Sequence, residues 1–277
     1  MCWDKNFSDY RMSTAMPITM CIKDIPVMLG QLVDVLGGDL EVQRLLSKEH
    51  RLYPLFSFYF FNKNKDWEQI DIPPEIIFLC NWVGHLWVFK DALAKAKDRT
   101  SLTRFYRQDY IDTFCAEAAI LSDYARRGYY VKWSSLFEQD PPDFAVTDRQ
   151  FNVEVDFELK VKRGRGTVET MFDSVSRGLQ SLKRRKPPAE RPAVIIVHNP
   201  DDLEWEKWLK DKDVEKRLES RLQNSEYSIV SGIIFSGGDY IMERDGGGQC
   251  LTRYLAYTSL VAKYKLPEGL LTSAIGL

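Results

Sequence analysis

The sequence predicts an α/β protein with a mixed β-sheet flanked by helices, preceded by an N-terminal helical region. Helical apolar periodicity dominates up to about residue 97, and a polar, charged segment follows from Lys95 to Ser101. Beyond it the pattern becomes αβββαβαβ, an order typical of a mixed sheet with helices on its faces. We therefore expect residues 1–100 to form a mostly helical region of unknown role and residues 101–277 to form an α/β domain.

The N-terminal helical region carries no recognisable chemistry. Two short helices are expected, followed by a long apolar helix from Pro74 to about Ala96 that begins after Pro73, a residue type suited to helix starts. Its aromatic residues Trp82, Trp87 and Phe89 are most simply core residues.

The second region is expected to begin with a helix that stops at Gly128, a good C-terminal signal. The glycine run at 246–248 is expected to be a flexible turn, since no lysine and serine follow it as in a phosphate-binding loop. In chain order the predicted elements are helix 103–127, strands 129–133, 144–146 and 151–161, helix 168–185, strand 193–197, helix 203–222 and strand 229–235.

The bulk composition excludes several classes of protein. The 277 residues are 44% hydrophobic, so a substantial core is expected, and a net charge of -2 makes any nucleic-acid contact a local basic patch. Five scattered cysteines without a CxxC pair and three distant histidines argue against a zinc site or a disulfide framework. No leader pattern or stretch of membrane-spanning length appears, so we expect a cytoplasmic protein with no membrane partner.

One predicted strand carries a row of charges. Alternate side chains of a strand point to opposite faces, so Glu154, Asp156, Glu158 and Lys160 share one face, opposite an apolar one. Three like charges in a row repel one another unless they are solvated or neutralised by a cation. The same alternation is also typical of a half-exposed surface strand whose charges discourage edge pairing.

A hairpin is predicted between this strand and the one before it. If Asp148 and Arg149 form its tip, Asp143 faces Glu154, with Cβ atoms about 5 Å apart. Two carboxylates that close repel unless a cation bridges them. Magnesium needs only one or two protein carboxylates besides water and phosphate, so this pair suits it.

A third carboxylate lies on the preceding helix. Glu117 falls on the same helical stripe as Phe114 and Leu121, an inward face on which a glutamate needs a partner. It joins the acidic site, or it extends towards solvent from the edge of the stripe, or it pairs with a cation. The candidate cations are Arg104, Arg126 and Lys132.

These segments, taken in order, resemble the PD-(D/E)xK nuclease superfamily, which includes many restriction enzymes, over roughly residues 103–198. The resemblance implies a restriction-endonuclease-like fold and a magnesium-dependent (or manganese-dependent) endonuclease that hydrolyses phosphodiester bonds, with DNA as the expected substrate. It also implies that Asp143 and Glu154 hold the metal with help from Glu117. The motifs are Glu117, Gly128-Tyr129-Tyr130-Val131, Pro142-Asp143-Phe144 and Val153-Glu154-Val155.

The superfamily places a lysine two residues after the second acid, and here the chain departs from the pattern. With Glu154 as that acid, the favoured register, the lysine position holds Asp156. The register Glu158-Leu159-Lys160 restores the lysine but lies about 13 Å further along the strand and requires a longer loop or a bulge. Both registers stay open, so the candidate catalytic residues are Asp143, Glu154, Asp156, Glu158 and Lys160, with Lys132 as a substitute lysine. Polar residues that the family often carries on the next helix are matched by Ser176 or Gln180.

Basic residues flank the proposed site. They are candidates for phosphate contacts, and the same residues are equally explained as a solvated loop and helix end. The candidate nucleic-acid contacts are Lys162, Arg163, Arg165, Arg184 and Arg185. A homodimer or protein contact is assigned to the N-terminal region. Two rival hypotheses are a nuclease-like fold that no longer cuts and acts as a nucleic-acid or protein binding module, and an unrelated α/β protein with a decorated surface strand.

Overall fold

The computed structural model describes residues 22–96, 100–137, 142–162, 164, 166–185, 190–199, 211–242, 248–259, 261–267 and 270. The chain forms two compact units, and the division falls between Ser122 and Asp123, inside a helix. Of the described residues, 22–122, 240–242 and 248–250 belong to the first unit. Residues 123–239 and those from 251 onwards belong to the second unit.

The first unit is helical over residues 22–122. Its apolar core is built around Phe105, which packs edge-to-face against Phe56 and Phe114. The helices are α1 (Ile25–Val35), α2 (Asp39–Leu45), α3 (Tyr53–Asn62), α4 (Pro74–Val88), α5 (Lys90–Ala96), α6 (Thr100–Tyr106) and α7 (Ile111–Arg126), the last of which continues into the second unit.

Two predicted helices are each broken into two. The prediction of one helix over residues 74–96 is wrong, because α4 ends at Val88 and the axis of α5 is inclined at 68° to that of α4. The helix expected over 103–127 is interrupted after α6, where Arg107 donates two hydrogen bonds to Asp109. Residues two apart do not face each other on a helix, so this pair favours a turn. Within the described ranges no single helix has the length and hydropathy to cross a bilayer, although α4 and α5 together do.

The second unit contains most of a six-stranded sheet with strand order β1 to β6, of which only residues 240–242 and 248–250 are assigned to the first unit. The strands are β1 (Tyr130–Lys132), β2 (Phe144–Asp148), β3 (Val153–Val161), β4 (Ala193–Asn199), β5 (Gly232–Met242) and β6 (Gly248–Thr258). Strands β1, β2 and β3 pair antiparallel, whereas β3, β4 and β5 pair parallel. The predicted α/β class with a mixed sheet flanked by helices is therefore confirmed.

The last two strands depart from the prediction. Strand β5 continues through Gly237 and Gly238 to Met242 rather than ending at Phe235, and β6 was not predicted. Glycine disfavours strands without forbidding them, so the paired backbone outweighs local preference here. Gly246 and Gly247, expected to form a turn, lie outside the described residues, as does the start of the helix expected over 203–222.

Two of the helices that the structure describes cover one face of the sheet. Helix α8 (Val168–Arg184) begins at a capping box formed by Thr167 and Thr170, and with α9 (Lys212–Leu222) it shares a core with Ile195 of β4. A Cβ added at Gly178 would lie 2.7 Å from Cγ2 of Ile195, so α8 lies unusually close to β4. On the opposite face Phe157 stacks on Phe144 at 5.0 Å.

Candidate acidic site on strand β3

The turn between β2 and β3 is longer than predicted. Asp148 is the last residue of β2, and its Oδ1 accepts hydrogen bonds from the backbone N–H groups of Gln150 (2.8 Å) and Phe151 (3.0 Å). Asn152 closes the turn with φ of 51°, a left-handed conformation that asparagine tolerates. Four residues, 149–152, therefore connect the strands instead of a two-residue tip.

The longer turn shifts the pairing of the strands. Thr147 lies opposite Glu154 and Phe144 lies opposite Phe157, so the predicted pairing of Asp143 with Glu154 is wrong. One position beyond the last pair, Asp143 comes beside Glu158. Residue Glu154 lies about 13 Å further along the strand.

A hydrogen bond fixes this arrangement. The backbone N–H of Leu159 donates to Oδ2 of Asp143 at 2.6 Å. Leu159 is the middle residue of Glu158-Leu159-Lys160, so Asp143 lies at the register that contains the lysine. The loop extension that the sequence required for this register is present.

The middle of the charged face of β3 is buried rather than solvated, whereas Glu154 and Lys160 at its ends are half-buried. Asp156 is 1% exposed and Glu158 is 6% exposed. They lie opposite Ala193 and Ile195 on β4, so they share the face that α8 covers. The expected alternation along the strand is confirmed, but bulk water does not neutralise the row.

Arg185, directly after α8, supplies part of the neutralising charge. Its guanidinium lies 2.6 Å from Oε2 of Glu158 and 3.3 Å from Oδ2 of Asp156, and its side chain is 8% exposed. It was predicted among the nucleic-acid contacts, yet its two terminal nitrogens contact buried acids. Its position directly after α8 brings its guanidinium to these acids, which sequence patterns do not reveal.

Two further cations complete an alternating row. Arg191 lies 2.5 Å from Oε1 of Glu154 and 2.7 Å from Oδ1 of Asp156, and Nζ of Lys160 lies 2.5 Å from Oε1 of Glu158. We call this set the charge ladder; it consists of Glu154, Arg191, Asp156, Arg185, Glu158 and Lys160. Three acids and three cations alternate, so its formal charge is zero.

The ladder is costly to disrupt in part. Removing one partner from a buried ion pair costs about 3–5 kcal/mol because a buried charge is left without compensation. The more exposed Arg191, whose side chain is 38% exposed, is screened more by solvent than Arg185. We therefore expect the contacts of Arg185 with Asp156 and Glu158 to contribute more to the free energy of unfolding than those of Arg191.

The remaining predicted site residues lie in different places. Glu117 is 1% exposed, which confirms its inward position on α7, and it belongs to the first unit, whereas Asp143 and Glu158 belong to the second. Arg184 is exposed and Lys162 is half-buried. Arg163 and Arg165 lie outside the described residues.

The other polar candidates lie on α8 and β1. Oγ of Ser176 donates to the carbonyl of Phe172 and accepts from Arg221, so it serves the packing of α8 on α9. Gln180 is exposed on α8, and Lys132 is exposed on β1.

Asp143 and Glu158 fit a magnesium ion in number and type of donor, since this ion uses one or two carboxylates with water and phosphate. Both oxygens of Glu158 already contact cationic nitrogens, so an ion must share or displace them. In the described part of the chain, no group of three or more His, Cys, Asp or Glu side chains is arranged to hold a metal. Comparisons with protein-family models, curated proteins and solved structures give no match to this chain.

Proposed function

We propose that this protein is a metal-dependent nuclease that hydrolyses phosphodiester bonds in DNA, with Asp143, Glu158 and Lys160 as its catalytic residues. The observation that carries the proposal is the 2.6 Å hydrogen bond from Leu159 to Asp143, since it brings Pro142-Asp143 to the register of Glu158-Leu159-Lys160. The mixed sheet with flanking helices is consistent with a restriction-endonuclease-like fold.

The proposed roles follow from the chemistry of each group. Asp143 and Glu158 would hold magnesium or manganese through carboxylate oxygens. The bound ion would polarise the phosphate and lower the pKa of a water molecule. Lys160, whose ammonium already contacts Glu158, supplies positive charge beside the attacking water and the phosphate.

The substrate assignment rests on charge near the site. Lys183 and Arg184 are exposed at the C-terminal end of α8, immediately before Arg185, and Lys162 follows β3. Phosphate contacts are made mainly by lysine and arginine, and they make binding weaken as salt rises. DNA binding at the end of α8 should therefore be salt-dependent.

Asp143→Asn is the direct test. Asparagine keeps an oxygen that accepts the hydrogen bond from Leu159 but removes the charge that holds the metal. We expect magnesium-dependent cleavage of plasmid DNA to fall by about 100-fold or more, a loss typical of removing a metal ligand or a key electrostatic group. The exposed Asp173 on α8 offers the matched control Asp173→Asn, which should cut normally. Equal cleavage by wild type and Asp143→Asn would rule the site out.

A second candidate function is a nuclease-like fold that binds nucleic acid or protein without cutting. The neutral charge ladder favours it, because Arg185 and Lys160 already satisfy both oxygens of Glu158. This candidate predicts salt-dependent DNA binding that Asp143→Asn leaves unchanged, together with no cleavage in magnesium or manganese. Cleavage by the purified wild-type chain would exclude it.

A further inference from the structure

We infer that Arg185 is an internal counter-ion that competes with a divalent metal ion for the carboxylate of Glu158. The inference rests on the proposed function and adds a control of metal entry to that same site. Arg185 is a positioning residue in this scheme, since it acts through Glu158 and touches no substrate.

The contacts of Arg185 define the competition. One nitrogen of its guanidinium lies 2.6 Å from Oε2 of Glu158, and the other lies 3.3 Å from Asp156. A divalent ion coordinated by the same carboxylate at about 2.1 Å would bring two further positive charges next to the guanidinium. Like charges in a buried site repel strongly, so an ion binds tightly only when the arginine moves away from Glu158.

The position of Arg185 in the fold gives the competition its mechanical basis. It follows the last residue of α8 with extended backbone, φ of −60° and ψ of 139°, and Leu179 and Leu182 of that helix are buried. Its backbone is therefore held near the packed helix end, and in this scheme only the side chain of Arg185 moves away from Glu158. When an ion takes over the neutralisation of Glu158, Arg185 keeps Asp156 as a partner.

Arg191 provides a matched comparison within the same ladder. It also bridges two acids of β3, Glu154 and Asp156, but it makes no ion pair with Glu158. Removing either arginine deletes one positive charge from the ladder. Of these two arginines, Arg185 is the one whose removal frees an oxygen of Glu158, the proposed metal ligand.

The experiment measures manganese affinity directly, by the electron paramagnetic resonance signal of free Mn²⁺ during titration of the full chain. Arg185→Met, which keeps the length of the stem, should bind Mn²⁺ about tenfold or more tightly than wild type, because a competing state has been removed. Arg191→Met should stay within about twofold of wild type. Without metal, Arg185→Met should unfold at lower temperature than wild type, and Mn²⁺ should raise its melting temperature by more than that of wild type.

A second pair of variants tests the inference if Arg185→Met alone does not fold. Asp156→Asn with Arg185→Met removes one buried charge of each sign, and it is compared with Asp156→Asn alone. The double variant should bind Mn²⁺ more tightly than the single one. Unchanged or weaker binding on removal of Arg185, in either background, would overturn the inference.

The outcomes separate this inference from the proposed function. If wild type cuts DNA but Arg185→Met binds Mn²⁺ no better, the nuclease proposal stands and the counter-ion role fails. If wild type neither binds Mn²⁺ nor cuts, while Arg185→Met binds it, the counter-ion role holds and the natural chain is no nuclease.

Discussion

The carboxylate of Asp143 accepts a 2.6 Å hydrogen bond from the backbone N–H of Leu159, the residue between Glu158 and Lys160. This bond links the residue before β2 to Leu159, near the C-terminal end of β3. One hairpin therefore brings together Asp143, an acid of β3 and a lysine. The arrangement depends on the four-residue turn, since a two-residue turn would have brought Asp143 to Glu154 instead.

The two glutamates of β3 should differ in their importance for cleavage. Glu158→Gln removes the charge beside Asp143 and should lower magnesium-dependent cleavage by about 100-fold, whereas Glu154→Gln should leave it within about threefold. Steady-state nicking of plasmid DNA, with circular dichroism to verify folding, makes the comparison. A larger loss in Glu154→Gln would return the site to the other register.

The close approach of α8 to β4 should make Gly178 intolerant of a side chain. Alanine is favoured over glycine in a helix by about 1 kcal/mol. The added Cβ would meet Ile195 at 2.7 Å, and overpacking of this kind costs about 1–3 kcal/mol. Because the two effects oppose each other, we expect Gly178→Ala to lower the free energy of unfolding by up to about 2 kcal/mol in urea titrations.

A double variant checks the cause of that loss. Ile195→Ala removes the atoms in conflict, so its cost combined with Gly178→Ala should be smaller than the sum of the two separate costs. Gln180→Ala, an exposed substitution on the same helix, should leave stability nearly unchanged. Simple additivity would show that the contact is not the reason.

Buried His50 should make the first unit sensitive to mild acid. Burial lowers its pKa, and the hydrogen bond to the carbonyl of Phe105 and the charge of Asp112 offset this only in part. Its other ring nitrogen accepts from the N–H of Leu52, which requires the neutral ring. The unfolded chain therefore binds the proton more readily, so the stabilising contribution is present above about pH 6.5 and is lost as pH falls through the lowered pKa.

Thermal unfolding between pH 8 and pH 5 tests this dependence. The wild-type melting temperature should fall more steeply below about pH 6.5 than that of His50→Gln, because glutamine does not titrate. Identical pH profiles for the two proteins would contradict the assignment. The matched substitution His198→Gln distinguishes His50 from another buried histidine.

Two buried cysteines should be unreactive in the folded protein. Burial raises the pKa of Cys80 to about 12 and raises that of Cys115 well above its ordinary value. Alkylation needs the thiolate, so both thiols should resist iodoacetamide at pH 8 and react fully in urea. Peptide mass spectrometry reads each site separately, and rapid labelling of either residue in the native chain would contradict its burial.

Strands β1 to β4 were predicted because each has a recognisable pattern within its own residues, whereas β6 was not. The alternation Val153 to Leu159 identifies β3, and an apolar run identifies β4. The length of the turn was mispredicted because the side chain of Asp148 takes up two backbone N–H groups, a choice that composition does not reveal. A displacement of the turn by two residues moves each opposing partner by four, which is why the sequence favoured Glu154 opposite Asp143 whereas the structure has Glu158 there.

The pairing of the β3 acids with Arg185 and Arg191 was not predicted from the sequence, for a different reason. Arg185 is 27 residues from Glu158, and it reaches that acid only because α8 crosses the sheet before β4 pairs parallel to β3. Its place in a basic run of the sequence suggested contacts with phosphate, whereas in the fold its guanidinium contacts Asp156 and Glu158. A motif fixes which residues are charged, but long-range topology decides which charges meet.

The order of the charge ladder along the chain has a consequence for synthesis. The acids of β3 leave the ribosome before Arg185 and Arg191, so for that interval the strand carries uncompensated negative charge. We expect this negative charge to oppose aggregation of nascent chains. A chain ending near residue 166 should therefore aggregate more when Glu154, Asp156 and Glu158 are replaced by glutamine or asparagine. Equal aggregation of the two chains would contradict this expectation. The negative charge of β3 thus opposes association between unfinished sheets until Arg185 and Arg191 have been synthesised and neutralise the acids.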